Sequence, residues 1–263
     1  MATAEFDGFT RRTETYAGFT HDVYWGGQGP AVVVIHEIPG LYSAVVDFAR
    51  RVVDAGFTVV MPSLFGTPGR EPSGGYMGGS VLGICVSREF HMFALGRTSP
   101  TVAFLRGLAA AAHAECGGRG VGAVGMCFTG GFALGMAVDD RLLAPVLSQP
   151  ANPAPVGSRR RISLDISPAD FDVVKRRARD GNCQVLGLRF SEDPAVPAER
   201  FEMLRRELGD AFIAVEIDSS PGNAHGIHKN SHSVLAGHLV EQPGHPTVEA
   251  RDRVLQFLRD RLT

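Results

Sequence analysis

Short runs of consecutive apolar residues alternate along the chain with segments whose apolar residues recur every three or four positions. The first strong run, PAVVVIHE (30–37), is typical of a strand buried on both faces. The segment that follows it has the spacing of an amphipathic helix, ending at a glycine. The same reading predicts an early strand ending at Trp25 and strands over 30–37, 57–65, 120–126, 142–149, 183–190 and 211–217. It predicts helices over 43–55, 99–115, 130–138, 169–180, 198–208 and 247–261, and a glycine-rich loop over 74–79.

This alternation predicts the fold class. Central strands that are apolar on both faces, each followed by a helix, indicate a mostly parallel sheet covered by helices on both faces. No internal repeat and no linker composition divide the chain. We therefore expect one α/β domain over residues 1–263, with an inserted excursion at 152–182, where the chain is rich in proline and arginine.

Composition and charge limit which binding partners and which cell compartment are expected. The net charge of −2 carries no basic excess, so a nucleic-acid partner is not expected. The 19 residues from 120 to 138 lack charge and approach the length of a membrane span, but they include six glycines and three charged residues follow at once. A strand, a turn and a helix explain them better, and no membrane association is expected. The N-terminus has no signal-peptide pattern, which favours the cytoplasm.

The four cysteines are too few for a disulfide scaffold, and no two have Cys-x-x-Cys spacing. One of them stands apart: Cys127, in the segment GMCFTGG (125–131) between a predicted strand and a predicted helix. A nucleophile at such a turn is held in a strained conformation, needs small neighbours, and lies at a helix N-terminus that lowers a thiol pKa. The sequence therefore predicts that Cys127 is a nucleophile, whereas the other cysteines are interpreted as structural.

A nucleophile of this type requires an acid and a base later in the chain, in the order nucleophile, acid, histidine. Asp193 follows the strand ending at Phe190 and is the preferred acid, with Glu192 as its rival. His225 follows the strand ending at 217 in a loop of small residues and is the preferred base. Its rivals are His228 and His232, with His238 and His245 further on. His225, His228 and His232 do not have the spacing of a metal site, so no metal is expected.

Taken together, these segments and His36-Glu37-Ile38-Pro39-Gly40 resemble the dienelactone hydrolase family of the α/β-hydrolase fold, over about residues 31–262. The resemblance implies a Cys–His–Asp triad of Cys127, His225 and Asp193. It also implies that Glu37 holds the resting thiol until substrate displaces it. The backbone N–H groups of Ile38 and Phe128 would form the oxyanion hole. An arginine would bind a substrate carboxylate, with Arg88 the better match and Arg97 its rival.

Three features depart from the family pattern: Thr129 stands where the family usually has glycine, His36 precedes Glu37, and the segment 152–182 is longer. The expected function is hydrolysis of small carboxylic esters or lactones, some bearing a carboxylate, without a cofactor. The expected assembly is a monomer or a small homo-oligomer. Two alternatives remain open: a ligand-binding protein on a hydrolase fold, and a redox-sensing thiol at Cys127. Turnover of a simple ester, lost on Cys127→Ala, distinguishes the first hypothesis from both.

Overall fold

The computed structural model describes residues 6–86, 90, 96–152 and 157–263. Within these residues a single eight-stranded sheet forms the centre of the molecule. Its strands are β1 (Thr10–Tyr16), β2 (Phe19–Gly27), β3 (Ala31–Ile35), β4 (Thr58–Pro62), β5 (Val121–Met126), β6 (Leu142–Ser148), β7 (Val185–Phe190) and β8 (Phe212–Ile217).

The strands lie in the order β1-β2-β4-β3-β5-β6-β7-β8. The two pairs that involve β2 are antiparallel, and all other neighbours from β4 to β8 are parallel. The strand order reverses at β3, because β4 lies on one side of β3 and β5 lies on the other side. Ligand sites in open parallel sheets lie at the carboxyl ends of strands near such a reversal.

Helices cover both faces of this sheet. They are α1 (Ser43–Asp54), α2 (Gly74–Val86), α3 (Pro100–Cys116), α4 (Gly130–Met136), α5 (Ser158–Ile162), α6 (Pro168–Arg179), α7 (Ala198–Leu208) and α8 (Pro246–Leu262). Buried residues of α1 and α8 pack in one apolar cluster, and those of α3, α4, α6 and α7 pack in another.

The strand β3 shows why the sheet is buried on both faces. All five of its residues are buried, and successive side chains point to opposite faces. Val33 and Ile35 join the cluster with α3 and α4, whereas Val32 and Val34 join the cluster with α1 and α8. The uninterrupted apolar run is therefore the consequence of two helical layers, and the predicted α/β fold with a mostly parallel sheet is confirmed.

The strand β1 and the helix α2 differ from the sequence prediction. The strand β1 is mostly exposed and lacks an apolar pattern, yet it pairs with β2 along its whole length. The segment 74–86 forms α2 where the glycines predicted a loop over 74–79. The Tyr76 hydroxyl accepts the N–H of Thr67 in the loop after β4, and Ser80 Oγ donates to Pro39 O in the loop after β3 at 3.3 Å.

The segment 152–182, predicted as an inserted excursion, carries α5 and α6 in its described part. Ser167 caps α6 by accepting the N–H of Asp170 at 3.1 Å. Arg177 on α6 is buried and donates to backbone carbonyls of the turn between α4 and β6. The excursion is thus attached to the main sheet. In the described part of the chain, no helix combines the length and the apolar character that a membrane span needs.

Candidate active site

Cys127 lies at the turn between β5 and α4. Its backbone has φ of +57°, a left-handed conformation that costs a non-glycine residue about 1 kcal/mol or more. The turn, Cys127–Thr129, is a single 3-10 turn that leads directly into α4. The thiol is partly exposed, so this strained backbone presents it at the surface of the site rather than in the core.

The glycines around Cys127 are required by close packing. A Cβ on Gly125 would lie 2.2 Å from the carbonyl oxygen of Thr129. A Cβ on Gly131 would lie 2.2 Å from the carbonyl oxygen of Leu164, and one on Gly130 would lie 2.8 Å from Pro150 Cβ. No side chain fits at these distances, so only glycine allows β5 to approach the turn, and α4 to approach the segments that carry Pro150 and Leu164, this closely.

Thr129 occupies the place where the family usually has glycine. Its buried hydroxyl accepts the N–H of Met126 at 2.9 Å. The same oxygen lies 2.7 Å from Met126 O, 3.2 Å from Ile35 O and 3.3 Å from His36 O, any one of which can receive its proton. The extra side chain therefore connects the turn to the carboxyl end of β3 instead of obstructing the site.

Asp193 follows β7 and lies beside a histidine. Its side chain is 1% exposed, and its Oδ2 atom is 2.6 Å from Nδ1 of His232. Its Oδ1 atom accepts the N–H of Ala195 at 2.9 Å. The Cys127 side chain also acts on His232, because its charge and a hydrogen-bonding interaction both raise the pKa of the ring. Asp193 thus fixes one ring nitrogen of His232, and Cys127 lies close enough to the ring to interact with it.

The electrostatic surroundings of His232 favour its protonated form. Burial alone lowers the pKa of His232, but the charge of Cys127 and hydrogen bonds to Asp193 and Cys127 oppose it. The outcome is a pKa well above the ordinary value for histidine. A proton on His232 is therefore stabilised between two groups that can both carry negative charge.

His225, the base predicted from the sequence, is not brought to Cys127 and Asp193. Its exposed side chain packs against His245, with ring centroids 5.4 Å apart, in a surface cleft beside Glu216 and Glu249. The reason is a local turn: Asn223 Oδ1 accepts the N–H groups of His225 and Ile227. That turn keeps the loop outside the site, and the chain returns to the carboxyl edge of the sheet only at His232.

The remaining histidines of this loop have other contacts. His228 is exposed, and its Nδ1 accepts the N–H of Asn230 at 3.1 Å. His238 Nδ1 accepts the N–H groups of His232 and Ser233 at 3.3 and 3.1 Å, so it supports the backbone of His232. Over residues 6–86, 90, 96–152 and 157–263, no three His, Cys, Asp or Glu side chains are grouped closely enough to hold a metal ion.

Glu37 is buried at the carboxyl end of β3, with hydrogen bonds that the sequence did not predict. Its carboxylate accepts from the Tyr42 hydroxyl, from Gln149 Nε2 at 2.7 Å and from Ser233 Oγ at 2.6 Å. Burial, and then the charge of Glu37, raise the pKa of Tyr42 far above its ordinary value, so Tyr42 is a donor. Ser233 is the neighbour of His232, and Glu37 therefore anchors the histidine loop.

Ile38 and Phe128, the expected oxyanion-hole residues, directly follow Glu37 and Cys127. They lie at the carboxyl ends of β3 and β5, which are paired with Ile35 opposite Gly125. His36 supports the first of these ends: its Nδ1 is 3.1 Å from Glu37 O and its Nε2 accepts the N–H of Leu64 at 3.0 Å. Burial lowers the pKa of His36 to about 4, which keeps the ring neutral and allows both bonds.

Of the two predicted substrate-binding arginines, Arg88 lies outside the described residues and Arg97 is exposed. Gln149, Tyr42 and Ser233 were missed by the sequence reading. A signal existed for Gln149, because a polar residue ends the apolar run of β6 just where the other site residues end theirs.

The chain is similar to several solved structures, whereas no curated protein sequence matches it significantly. Among solved structures, the chain is similar to a protein of Klebsiella pneumoniae subsp. pneumoniae described as a candidate dienelactone hydrolase, with 20% identity, TM-score 0.64, and coverage of 96% of this chain and 99% of that one. It is also similar to a dienelactone hydrolase from Anabaena variabilis (14% identity, TM-score 0.61, coverage 97% and 98%).

A third similar structure is a dienelactone hydrolase-like promiscuous phosphotriesterase from metagenomic libraries, with 18% identity, TM-score 0.58, and coverage of 97% of this chain and 100% of that one. These three similarities establish the fold. The family model of the dienelactone hydrolase family matches residues 14–261. Since that match spans nearly the whole chain, the protein belongs to the dienelactone hydrolase family.

Proposed function

We propose that this chain hydrolyses small carboxylic esters or lactones with Cys127 as nucleophile, His232 as general base and acid, and Asp193 as the acid that orients His232. Membership of the dienelactone hydrolase family supports hydrolysis of an ester bond. The observation that carries the finer proposal is the chain of contacts from the strained Cys127 through His232 to the buried Asp193. It replaces His225 by His232 as the proposed base.

The first half-reaction forms an acyl-enzyme. The thiolate of Cys127 attacks the carbonyl carbon, a sulfur–carbon bond forms, and the electron pair of the carbonyl moves to its oxygen. When the tetrahedral intermediate collapses, the carbon–oxygen ester bond breaks and the leaving alkoxide takes the proton of His232. In a lactone, this alcohol stays tethered to the acyl group.

The second half-reaction releases the product. Water gives a proton to His232 as its oxygen attacks the thioester, and the carbon–sulfur bond breaks to restore the thiolate. Asp193 fixes the ring through Nδ1 and stabilises the imidazolium, which gives up its proton during acylation and forms again during deacylation. The raised pKa of His232 favours this imidazolium.

The oxyanion of both tetrahedral intermediates is proposed to bind the N–H groups of Ile38 and Phe128. Removing one such preorganised donor costs about 3 kcal/mol of transition-state stabilisation in enzymes of this kind. The contacts of Glu37 and His36 hold the loop that carries Ile38, and Thr129 connects that loop to the turn that carries Phe128.

Glu37 is proposed to act by anchoring the His232 loop through Ser233, since its carboxylate accepts hydrogen bonds from Tyr42, Gln149 and Ser233. The family's substrate-triggered release of the thiol would require Glu37 to exchange these partners. Selection of carboxylate-bearing substrates by Arg88 remains part of the proposal. If Arg88→Ala leaves the ratio of anionic to neutral ester hydrolysis unchanged, that part is wrong.

The test is a substrate panel of dienelactone, neutral lactones and aryl esters. Wild type is expected to hydrolyse at least one class, Cys127→Ala to lose turnover, and His232→Ala to lose at least a hundredfold in kcat. His225→Ala is the matched control, a histidine of the same loop, and is expected to keep wild-type kcat. If His225→Ala loses activity and His232→Ala keeps it, the base is misassigned. Binding of these compounds without any turnover would replace the proposal by a ligand-binding function.

A further inference from the structure

The helix α7 buries a cation beside the candidate site. Arg200 is 0% exposed and is among the largest fully buried side chains of the described chain. A buried guanidinium is costly unless hydrogen bonds and opposite charges compensate it. Arg200 takes no part in the proposed bond-making and bond-breaking steps.

The guanidinium connects the two segments that support the nucleophile and the acid. Its Nη1 donates to Pro150 O at 2.6 Å and to Ala195 O at 2.9 Å. Pro150 precedes Ala151, whose N–H donates to Cys127 O at 3.0 Å. Ala195 donates its own N–H to the carboxylate of Asp193. The Arg200 side chain is thus linked by hydrogen bonds, through Pro150 and Ala151 to Cys127 and through Ala195 to Asp193.

The charges that face Arg200 come from four elements. They are Asp165 in the segment before α6, Asp193 after β7, Cys127 at the turn and Arg161 on α5. Burial lowers the pKa of Arg200 to about 10, the three acidic groups oppose that decrease, and Arg161 adds to it. At neutral pH the guanidinium therefore remains a cation, and its charge interacts with those of Cys127 and Asp193.

We propose that Arg200 is a positioning residue of the Cys127–His232–Asp193 site. It holds the segment behind the nucleophile against the loop that carries the acid, and its permanent charge favours the anionic forms of Asp193 and Cys127. The inference rests on the proposed function for its catalytic consequence. Its electrostatic effect on the Cys127 thiol is measurable without a substrate.

The primary experiment measures alkylation of Cys127 by iodoacetamide as a function of pH, by mass spectrometry of the Cys127 peptide. Thiolates react and thiols do not, so the midpoint of the profile reports thiolate formation. Arg200→Met is expected to move the midpoint to higher pH by about half a unit or more, because removal of a neighbouring cation disfavours the anion. Arg200→Lys, which keeps the charge, is expected to keep the wild-type midpoint.

The second readout is ester hydrolysis. Arg200→Met is expected to lower kcat about tenfold with KM changed less than twofold, as expected when only the reacting geometry is disturbed. Arg200→Lys is expected to recover part of kcat. Arg206→Met is the matched control, because Arg206 is an exposed arginine on the same helix, paired with Glu207. It is expected to match wild type in both readouts.

The outcomes separate this inference from the proposed function. Equal alkylation midpoints in Arg200→Met and Arg206→Met would overturn the inference, even if wild type hydrolyses esters. A shifted midpoint in a protein that hydrolyses no ester would support the electrostatic role and overturn the proposed function. If Arg200→Met and Arg200→Lys both fail to fold, Arg200 serves folding alone and the inference is wrong.

Discussion

At the scale of the residue, the geometry of the candidate site depends on individual backbone and side-chain atoms. Cys127 adopts a left-handed backbone, and three glycines leave room for the turn around it. Thr129 adds one hydroxyl, which satisfies a buried N–H and reaches the carbonyls of β3. The sequence predicted roles for Cys127 and Asp193 because both follow predicted strands, but the contacts of the Thr129 hydroxyl depend on how β3 and β5 pair.

The Thr129 hydroxyl is expected to stabilise both fold and site. Thr129→Val keeps the shape of the side chain but leaves the N–H of Met126 without its partner, which costs about 1–3 kcal/mol in free energy of unfolding. Urea denaturation measures this loss, and ester hydrolysis is expected to fall with it. Thr129→Ser, which keeps the hydroxyl, is the control. An equal loss in both variants would mean that the methyl group, not the hydroxyl, is responsible.

His36 is expected to make stability depend on pH. Its pKa is about 4 in the folded chain and about 6.5 when unfolded, so between these values the unfolded state binds a proton that the folded state does not. Stability is therefore complete above pH 6.5 and falls as the pH drops toward 4, by at most about 3 kcal/mol. Urea denaturation between pH 7.5 and 4.5 is expected to show a shallower decrease for His36→Gln, whose side chain does not titrate. Parallel curves for the two proteins would refute this role.

At the scale of the element, local pattern and local structure disagree most in α2. Five of its thirteen residues are glycine, which explains why the sequence predicted a loop there. Glycine disfavours a helix interior by about 1 kcal/mol relative to alanine, because it has more conformational freedom to lose. Contacts of Tyr76 and Ser80 with the loops after β4 and β3 hold the segment as a helix. Such contacts join residues far apart in sequence and leave no local pattern.

Two glycine substitutions are expected to have opposite effects. A Cβ on Gly78 of α2 meets no atom within 4 Å, so Gly78→Ala is expected to raise the free energy of unfolding by about 0.5–1 kcal/mol. A Cβ on Gly131 of α4 would lie 2.2 Å from a backbone oxygen, so Gly131→Ala is expected to lower it by about 1–3 kcal/mol. Chemical denaturation of the two variants measures both signs, and the same sign in both would contradict the packing argument.

At the scale of the whole molecule, the parallel sheet gathers residues that are distant along the chain. Glu37 follows β3, Cys127 follows β5, Gln149 follows β6 and Asp193 follows β7, all at one edge of the sheet. His232 joins them from the loop after β8. At a different edge of the same framework, Arg177 of α6 donates to backbone oxygens between α4 and β6. The candidate site and the contacts that attach the segment 152–182 therefore lie at different edges of the same sheet.

Arg177 is expected to affect stability without affecting the chemistry. Arg177→Met removes hydrogen bonds to the carbonyls of Asp139, Asp140 and Leu142, and is expected to lower the free energy of unfolding by about 2–4 kcal/mol. The kcat of the folded protein and the pH profile of Cys127 alkylation are expected to remain those of wild type. Arg176→Met, an exposed neighbour on α6, is the control and is expected to change stability by less than about 0.5 kcal/mol. A changed alkylation profile in Arg177→Met would show coupling between the two regions.

The sequence by itself determined the α/β class, the order of the central strands and helices along the chain, and the residues that end strands β5 and β7. These features depend on local periodicity and on glycines flanking a turn, and both signals are visible within short segments of the sequence. The division into one domain with an excursion, and the role of Arg88, stay predictions.

Only the tertiary structure decided which histidine lies beside Asp193, and that Glu37 contacts the loop that carries His232. Both depend on where a long loop closes: Asn223 holds His225 outside in a local turn, whereas Ser233 and His238 hold His232 at the edge of the sheet. Several histidines in one loop look equivalent in sequence, because the contacts that distinguish them come from other strands.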